Sequence, residues 1–213
     1  MKTPKRNPGK GQVDRRGFTL LELLIVLVIC GAFAMAWGAY IDTADANLRS
    51  FVFNLGSRFK QARFEATKLG KVVYLDFDLD NDGIPNNGYT MWVDNDDDGS
   101  FKTAKGDYRI GTEVAFPASG PELYDTKNKV FSGGPHDPYG GPKSSTIDDG
   151  ISVAGMKFKF KPSGDSNNGS LYICYPRNVA AGREVVAGPW AIIVDNVGRI
   201  RLDEWRNGKW QVD

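Results

Sequence analysis

Apolar residues occur in this chain in three successive rhythms, and each rhythm predicts a different element. From Phe18 to Tyr40 they are almost continuous, with one charge, Glu22, among them. At about 1.5 Å per helical residue this run is long enough to cross a hydrocarbon layer of roughly 30 Å. From Ile41 to Leu69 the apolar positions thin to Ala44, Leu48, Phe51, Val52, Leu55, Phe59, Ala62, Ala66 and Leu69. Steps of three and four residues mark one face of a helix. No proline intervenes after Phe18, so the helix is expected to run unbroken to Gly70, which suits a C-terminal cap. Phe51, Phe53, Phe59 and Phe64 are read as core; an aromatic binding strip is the alternative reading of the same spacing.

After Gly70 the period changes. Lys71 to Phe77 (KVVYLDF) and Gly88 to Val93 (GYTMWV) are rich in β-branched and aromatic residues and read as two antiparallel strands. Further strands are expected at 109–116, 151–161, 170–175, 189–194 and 199–205. The Gly/Pro-rich section 117–150 reads as a long loop. It holds His136, the only histidine, without a nucleophilic Ser or Cys pattern, so His136 reads as a loop residue rather than a catalytic base. The expected fold class is α+β. Residues 42–70 pack Leu48, Leu55, Phe59 and Ala62 onto a mostly antiparallel sheet in a head spanning 71–213.

Charge orients the first run. The residues before Phe18 include Lys2, Lys5, Arg6, Lys10, Arg15 and Arg16 against Asp14, which by the positive-inside bias keeps that end cytoplasmic. A secretory signal is cut at a small-residue site after its apolar region, and no such site follows Tyr40. The small residue, Gly17, sits in front. A carboxylate at the depth of Glu22 costs on the order of 2.5–3.5 kcal/mol on insertion scales unless it is paired. A cut between Gly17 and Phe18 would place a new α-amino group one helical turn from Glu22, on the same subunit or on a neighbour.

The stretch RRGFTLLELLIV resembles the class III leader of type IV prepilins and pseudopilins. The resemblance implies a leader 1–17 cleaved after Gly17 by a prepilin peptidase, N-methylation of Phe18, and a role for Glu22 in docking subunits into a filament. It also implies a type IV pilin-like fold with residues 18–41 as membrane-spanning and filament-core helix. The expected partners are other pilins through that helix and an inner-membrane assembly platform. The expected location is the bacterial inner membrane, single-pass with a periplasmic head, and then a pilus or pseudopilus. A plain signal anchor is the alternative.

A second resemblance concerns the head. AGMKFKFKPSG, SLYICYP and WAIIVDNVGRIRL are similar to the C-terminal half of the GspH/FimT pseudopilins, and ARFEATKLGK is similar to that family's passage from helix to first strand. With the leader, the likeness covers most of the chain; the insertion at 133–143 departs from it. It implies a structural minor pseudopilin of a type II secretion system or type IV pilus, not an enzyme.

Composition narrows the rest. The whole chain carries a net +1, and removal of a leader with net +5 leaves about −4, which is not the balance of a general polyanion binder. Cys30 falls in the apolar run and Cys174 in the head, so no disulfide is expected.

Two acidic segments remain. Asp78, Asp80, Asp82 and Gly83 spell D-x-D-x-D-G, and Asp94, Asp96, Asp98 and Gly99 repeat it. Such spacing aims alternate carboxylates at one calcium ion, but Tyr89 and Lys105 stand at the twelfth positions where a closing acid belongs. Asp107 is a substitute for the second loop. The other reading is that Asp, Asn and Gly make good turns. If the flanking strands pair as a hairpin, the two loops lie at opposite ends and form two sites.

Near the C-terminus, Gly198-Arg199-Ile200-Arg201 would put both guanidiniums on one face of a strand. The motif resembles the DNA-binding element of FimT-type minor pilins that serve natural transformation, with Arg206 and Lys209 extending the patch. Charged protection of an edge strand is the other reading. Asp195, Asp203 and Glu204 dilute the charge, and Trp205 and Trp210 are expected to pack the tail onto the head.

Overall fold

The computed structural model describes residues 20–40, 43–80, 82, 84–124, 150–179 and 182–212, with side chains in all of these except 32–40 and 177–186. They belong to two compact units, Met1–Asp42 and Thr43–Asp213.

The first unit contributes helix α1, Leu20–Tyr40. It is apolar all round rather than along one stripe, and Leu20 to Ile29 are widely exposed. A helix of that kind needs an apolar environment on every side. Among the residues whose side chains are described, no helix is long and apolar enough to cross a membrane. In α1 that stretch ends at Gly31, twelve residues or about 18 Å along the axis.

The second unit opens with helix α2, Thr43–Leu69. The join at 41–42, on which the expected unbroken rod depends, lies outside the described residues. Ala44, Leu48, Val52, Leu55, Phe59, Ala62 and Ala66 are buried as their spacing predicts, and Gly56 joins them because Leu202 packs against it. Gly70 follows at φ +64, the left-handed conformation of a helix cap. Two of the four phenylalanines depart from expectation. Phe51 is half-buried edge-on against Phe116 and Phe59 is fully enclosed, but Phe53 and Phe64 are 41% and 63% exposed. One turn of helix offers only one inward direction, and Leu55, Phe59 and Ala62 occupy it.

Two antiparallel sheets hold α2. Strands β1 (Val72–Asp76) and β2 (Gly88–Asp94) form the expected hairpin. The expected strand at 109–116 is instead two short pieces on β2, β3 (Tyr108–Arg109) and β4 (Val114–Ala115), because Gly111 turns out of line between them. β5 (Glu122–Leu123) lies within the section read as loop; residues 125–149, including His136, lie outside the described residues. The expected strand at 151–161 divides into β6 (Ile151–Ser152) and β7 (Lys157–Phe160), separated by a 3₁₀ turn at Ala154–Met156. β8 (Gly169–Val179) and β9 (Gly182–Val194) form one long hairpin with a register shift near Tyr175. β10 (Ile200–Arg206) and β11 (Lys209–Val212) complete the set. The smaller sheet runs β3-β2-β1-β7 with β4 also on β2; the larger runs β11-β10-β9-β8-β5 with β6 also on β8.

Alternation along the strands assigns each face. In the larger sheet Leu171, Ile173, Trp190, Ile192 and Val194 join the core shared with α2, while Tyr172, Cys174, Ala191 and Ile193 form a second cluster on the opposite face. Trp205 and Trp210, with ring centroids 5.3 Å apart, cap that second face, Trp210 lying 5.8 Å from Tyr172. In the smaller sheet Val73, Leu75, Phe77, Met91, Val93, Phe158 and Phe160 face α2. Phe59 stands among Phe77, Phe158 and Phe160, and truncating so enclosed a ring costs about 3–5 kcal/mol.

Candidate functional site

The acidic loops lie at opposite ends of the β1–β2 hairpin, since Val72 pairs with Asp94 and Asp76 with Thr90. In the first loop the carboxylates hold their own backbone. The Asp78 amide donates to Asp76 Oδ1 at 3.0 Å, the Asp82 amide to Asp78 Oδ1 at 3.0 Å, and the Ile84 amide to Asp82 Oδ1 at 2.8 Å. Asp78, Asp80 and Asp82 still bring one oxygen each within 4.8 Å of the others; Gly83 lies outside the described residues.

The second loop is built differently. Buried Asp94 accepts the Asp97 amide at 2.7 Å and the Gly99 amide at 2.9 Å. Buried Asp107 accepts the Asn95 amide at 2.8 Å and the Lys102 amide at 2.7 Å. Asp94, Asp96 and Asp107 form the group whose oxygens lie within 4.8 Å, so Asp107 stands where the sequence pattern had Asp98. Asp98 turns to Lys102 and Lys105, at 2.7 and 2.8 Å, and Lys105 also pairs with Asp96. Hydrogen bonds from Lys105 hold the Asp96 carboxyl below the usual range, and those from Lys102 and Lys105 do the same for Asp98. The loop thus carries its own cation beside the set of oxygens that would hold calcium. It also covers the outer face of the smaller sheet: Phe101 packs edge-on against Trp92, which stacks on Tyr74, and Lys159 reaches Asp97 at 3.0 Å.

Each C-terminal arginine has an acidic partner. Arg199 precedes β10 rather than lying in it, and its Nε donates to Asp195 Oδ2 at 3.0 Å. Desolvation pushes the Asp195 carboxyl up, but the amide and guanidinium of Arg199 outweigh it and hold the group below its ordinary value. Arg201 forks onto Asp203 with two bonds of 2.8 Å, and Arg206 pairs with Glu204. The acids that seemed only to dilute the charge are direct partners, two or four residues away on the same face or turn. Ile200 and Leu202 face the core, as alternation predicts.

Arg63, in the ARFEATKLGK stretch, has a role the sequence did not disclose. Its guanidinium donates to the carbonyls of Gly164 (3.0 Å) and Val197 (3.1 Å), tying α2 to the turn that follows β7 and to the turn between β9 and β10. At Gly198, φ is +72 and a Cβ would lie 2.1 Å from the Gly164 carbonyl oxygen, so the glycine of the Gly-Arg-x-Arg motif answers to this close approach. Beside the knot lies a cleft of about 640 Å³ lined by Lys60, Arg63, Phe64, Ser163 and Arg199 among others.

Glu22 lies in α1, two residues after the first described residue, Leu20. Gly17 and Phe18 lie outside the described residues. Residues 13–37, which include all three positions, match the model of the prokaryotic N-terminal methylation motif. That match, over 25 of the 213 residues, supports a type IV pilin-like signal at this end of the chain. It indicates processing of this end of the chain by a prepilin peptidase. No curated protein and no solved structure matches the chain.

Proposed function

We propose that this chain is a minor pseudopilin of a type II secretion system or type IV pilus, a subunit of the tip or initiating complex. The observation that carries the reading is the methylation motif at 13–37 with Glu22 inside an apolar helix. Cleavage between Gly17 and Phe18 removes the basic leader and leaves an ammonium, methylated on Phe18. Glu22 answers that charge on a neighbouring subunit, so two groups too costly to leave alone in hydrocarbon fix the axial register of a helical bundle. Before assembly the residue 18–41 segment spans the inner membrane once, with the head in the periplasm.

The test is an intact-mass measurement on full-length protein from bacteria with and without an active prepilin peptidase. Loss of residues 1–17 and gain of one methyl group are expected only with the peptidase. Retention of Met1 in its presence overturns the reading. Glu22→Val should leave cleavage intact and abolish co-assembly with partner pilins.

A second reading is a DNA-binding minor pilin of an uptake machine. It is favoured by the cleft at Lys60, Arg63 and Arg199, beside exposed Phe64. Gel shifts of the full chain across a salt series, with Arg199 and Arg201 both replaced by Ala, test it. Weaker binding with a shallower salt slope is expected; an unchanged slope removes these residues from any DNA contact.

A further inference from the structure

A groove on the head lies apart from the acidic loops, the processing signal and the arginine turn. Strand β2 is bordered by β3 and β4, and between them residues 110–113 swing outward at Gly111, φ +81. Against α2 at this margin are two adjoining cavities of about 330 Å³ each, which share Arg58, Gln61, Tyr89 and Val114. That volume is in the range of small-molecule sites. The inner wall is apolar, with Met91 and Leu55 only 5% and 2% exposed. The rim is polar: Arg58 Nη1 donates to Gln61 Oε1 at 2.9 Å, and the guanidinium shares both cavities with the Tyr89 side chain. Among the described residues, no Asp or Glu lines either cavity.

The two halves of this lining ask for two features in one ligand. An apolar wall rewards a hydrocarbon body. A guanidinium steadied by Gln61 presents its remaining N–H groups as a planar fork, and a carboxylate matches that fork better than a spherical anion does. We propose that the groove binds a monocarboxylic acid with an apolar body, its carboxylate on Arg58 and its body against Met91 and Leu55. The same chemical group occurs as a small free acid and as the C-terminal residue of a polypeptide. This inference does not depend on the pseudopilin reading.

The experiment is calorimetric titration of the full chain in neutral-detergent micelles, with micelle-only blanks. The probes are 3-phenylpropionate, its amide, and a short peptide ending in Phe with a free or an amidated terminus. The acid is expected to bind saturably and about tenfold or more tighter than its amide, as a charge-assisted pair implies. Arg58→Met should erase that difference, and Val114→Trp, at a position 37% exposed, should block the groove without lowering the melting temperature. If the peptide with a free terminus binds as well, a partner's chain end is the ligand; if only the small acid binds, it is a diffusible one. Equal binding of acid and amide, no binding by either up to their solubility limits, or affinity unchanged in both variants overturns the proposal.

Discussion

The two loops at opposite ends of one hairpin share the D-x-D-x-D-G spelling and are unlike as structure. The loop after β1 spends its carboxylates on the next few amides, Asp76 on Asp78, Asp78 on Asp82 and Asp82 on Ile84. The loop after β2 borrows Asp107 from thirteen residues beyond Asp94, brings Lys102 and Lys105 onto Asp98, and closes over Trp92 with Phe101. The repeated spelling therefore specifies a turn, because Asp78, Asp82, Asp94 and Asp98 each find an amide two to five residues ahead. What the turn does next depends on the residues the chain returns to it.

The largest expected difference is in stability. Asp94→Ala or Asp107→Ala each removes a buried carboxylate that accepts two part-buried amides and should cost about 1–3 kcal/mol. Asp80→Ala, on the exposed rim of the first loop, should stay within about 0.5 kcal/mol. Urea unfolding followed by tryptophan fluorescence reads both; equal losses would erase the contrast.

Calcium sharpens it at an intermediate level. Lys105 sits on Asp96 and Asp98, beside the oxygens of Asp94, Asp96 and Asp107. Lys105→Ala should raise calcium affinity at the second loop by about two- to fivefold, the equivalent of one lost competing surface charge pair. Isothermal titration checks this, and Asp96→Ala in the same background should abolish the gain. An affinity indifferent to Lys105 would leave the second loop a turn and nothing more.

The smallest effect is in pH dependence, where the two ends of the hairpin should differ in sign. Lysine contacts depress the Asp96 and Asp98 carboxyls, so the stability they add is complete above their ordinary value of 3.8 and is lost as pH falls. Burial raises Asp76, against weaker opposition from the Asp78 amide and from Lys157 at 3.2 Å. Its folded form keeps a proton longer than the unfolded chain does, so stability falls as pH rises from 3.8 through that higher value. Melting temperatures across this range should show Lys105→Ala flattening the acid limb and Asp76→Asn flattening the decline above 3.8. The same slope in both variants and the parent would contradict the assignment.

Much of the fold is legible where a short period meets a single buried face. The inward stripe of α2, the cap at Gly70 and the β1–β2 hairpin follow from local spacing and turn chemistry. β11 was legible too and passed over: Asn207-Gly208, at φ +53 and +73, is the two-residue turn that joins Arg206 to Lys209. The extension of β8 to Val179 and of β9 back to Gly182 was hidden by Pro176, which breaks the strand signal but sits at a register shift. Phe53 and Phe64 were misread because periodicity locates a stripe without giving its width.

By itself, the sequence determined the processing signal at 13–37, the apolar run with its lone Glu22, the amphipathic helix behind it and the turns at both Asp repeats. These depend on residues within one or two helical turns of each other. Tertiary structure alone decided that Asp107, the expected substitute for the closing acid, takes the place of Asp98 beside Asp94 and Asp96, and that Arg63 bonds the Gly164 and Val197 carbonyls. A charged side chain takes whichever partner the packed backbone brings within about 3 Å, and for Arg63 that partner lies more than a hundred residues away along the chain.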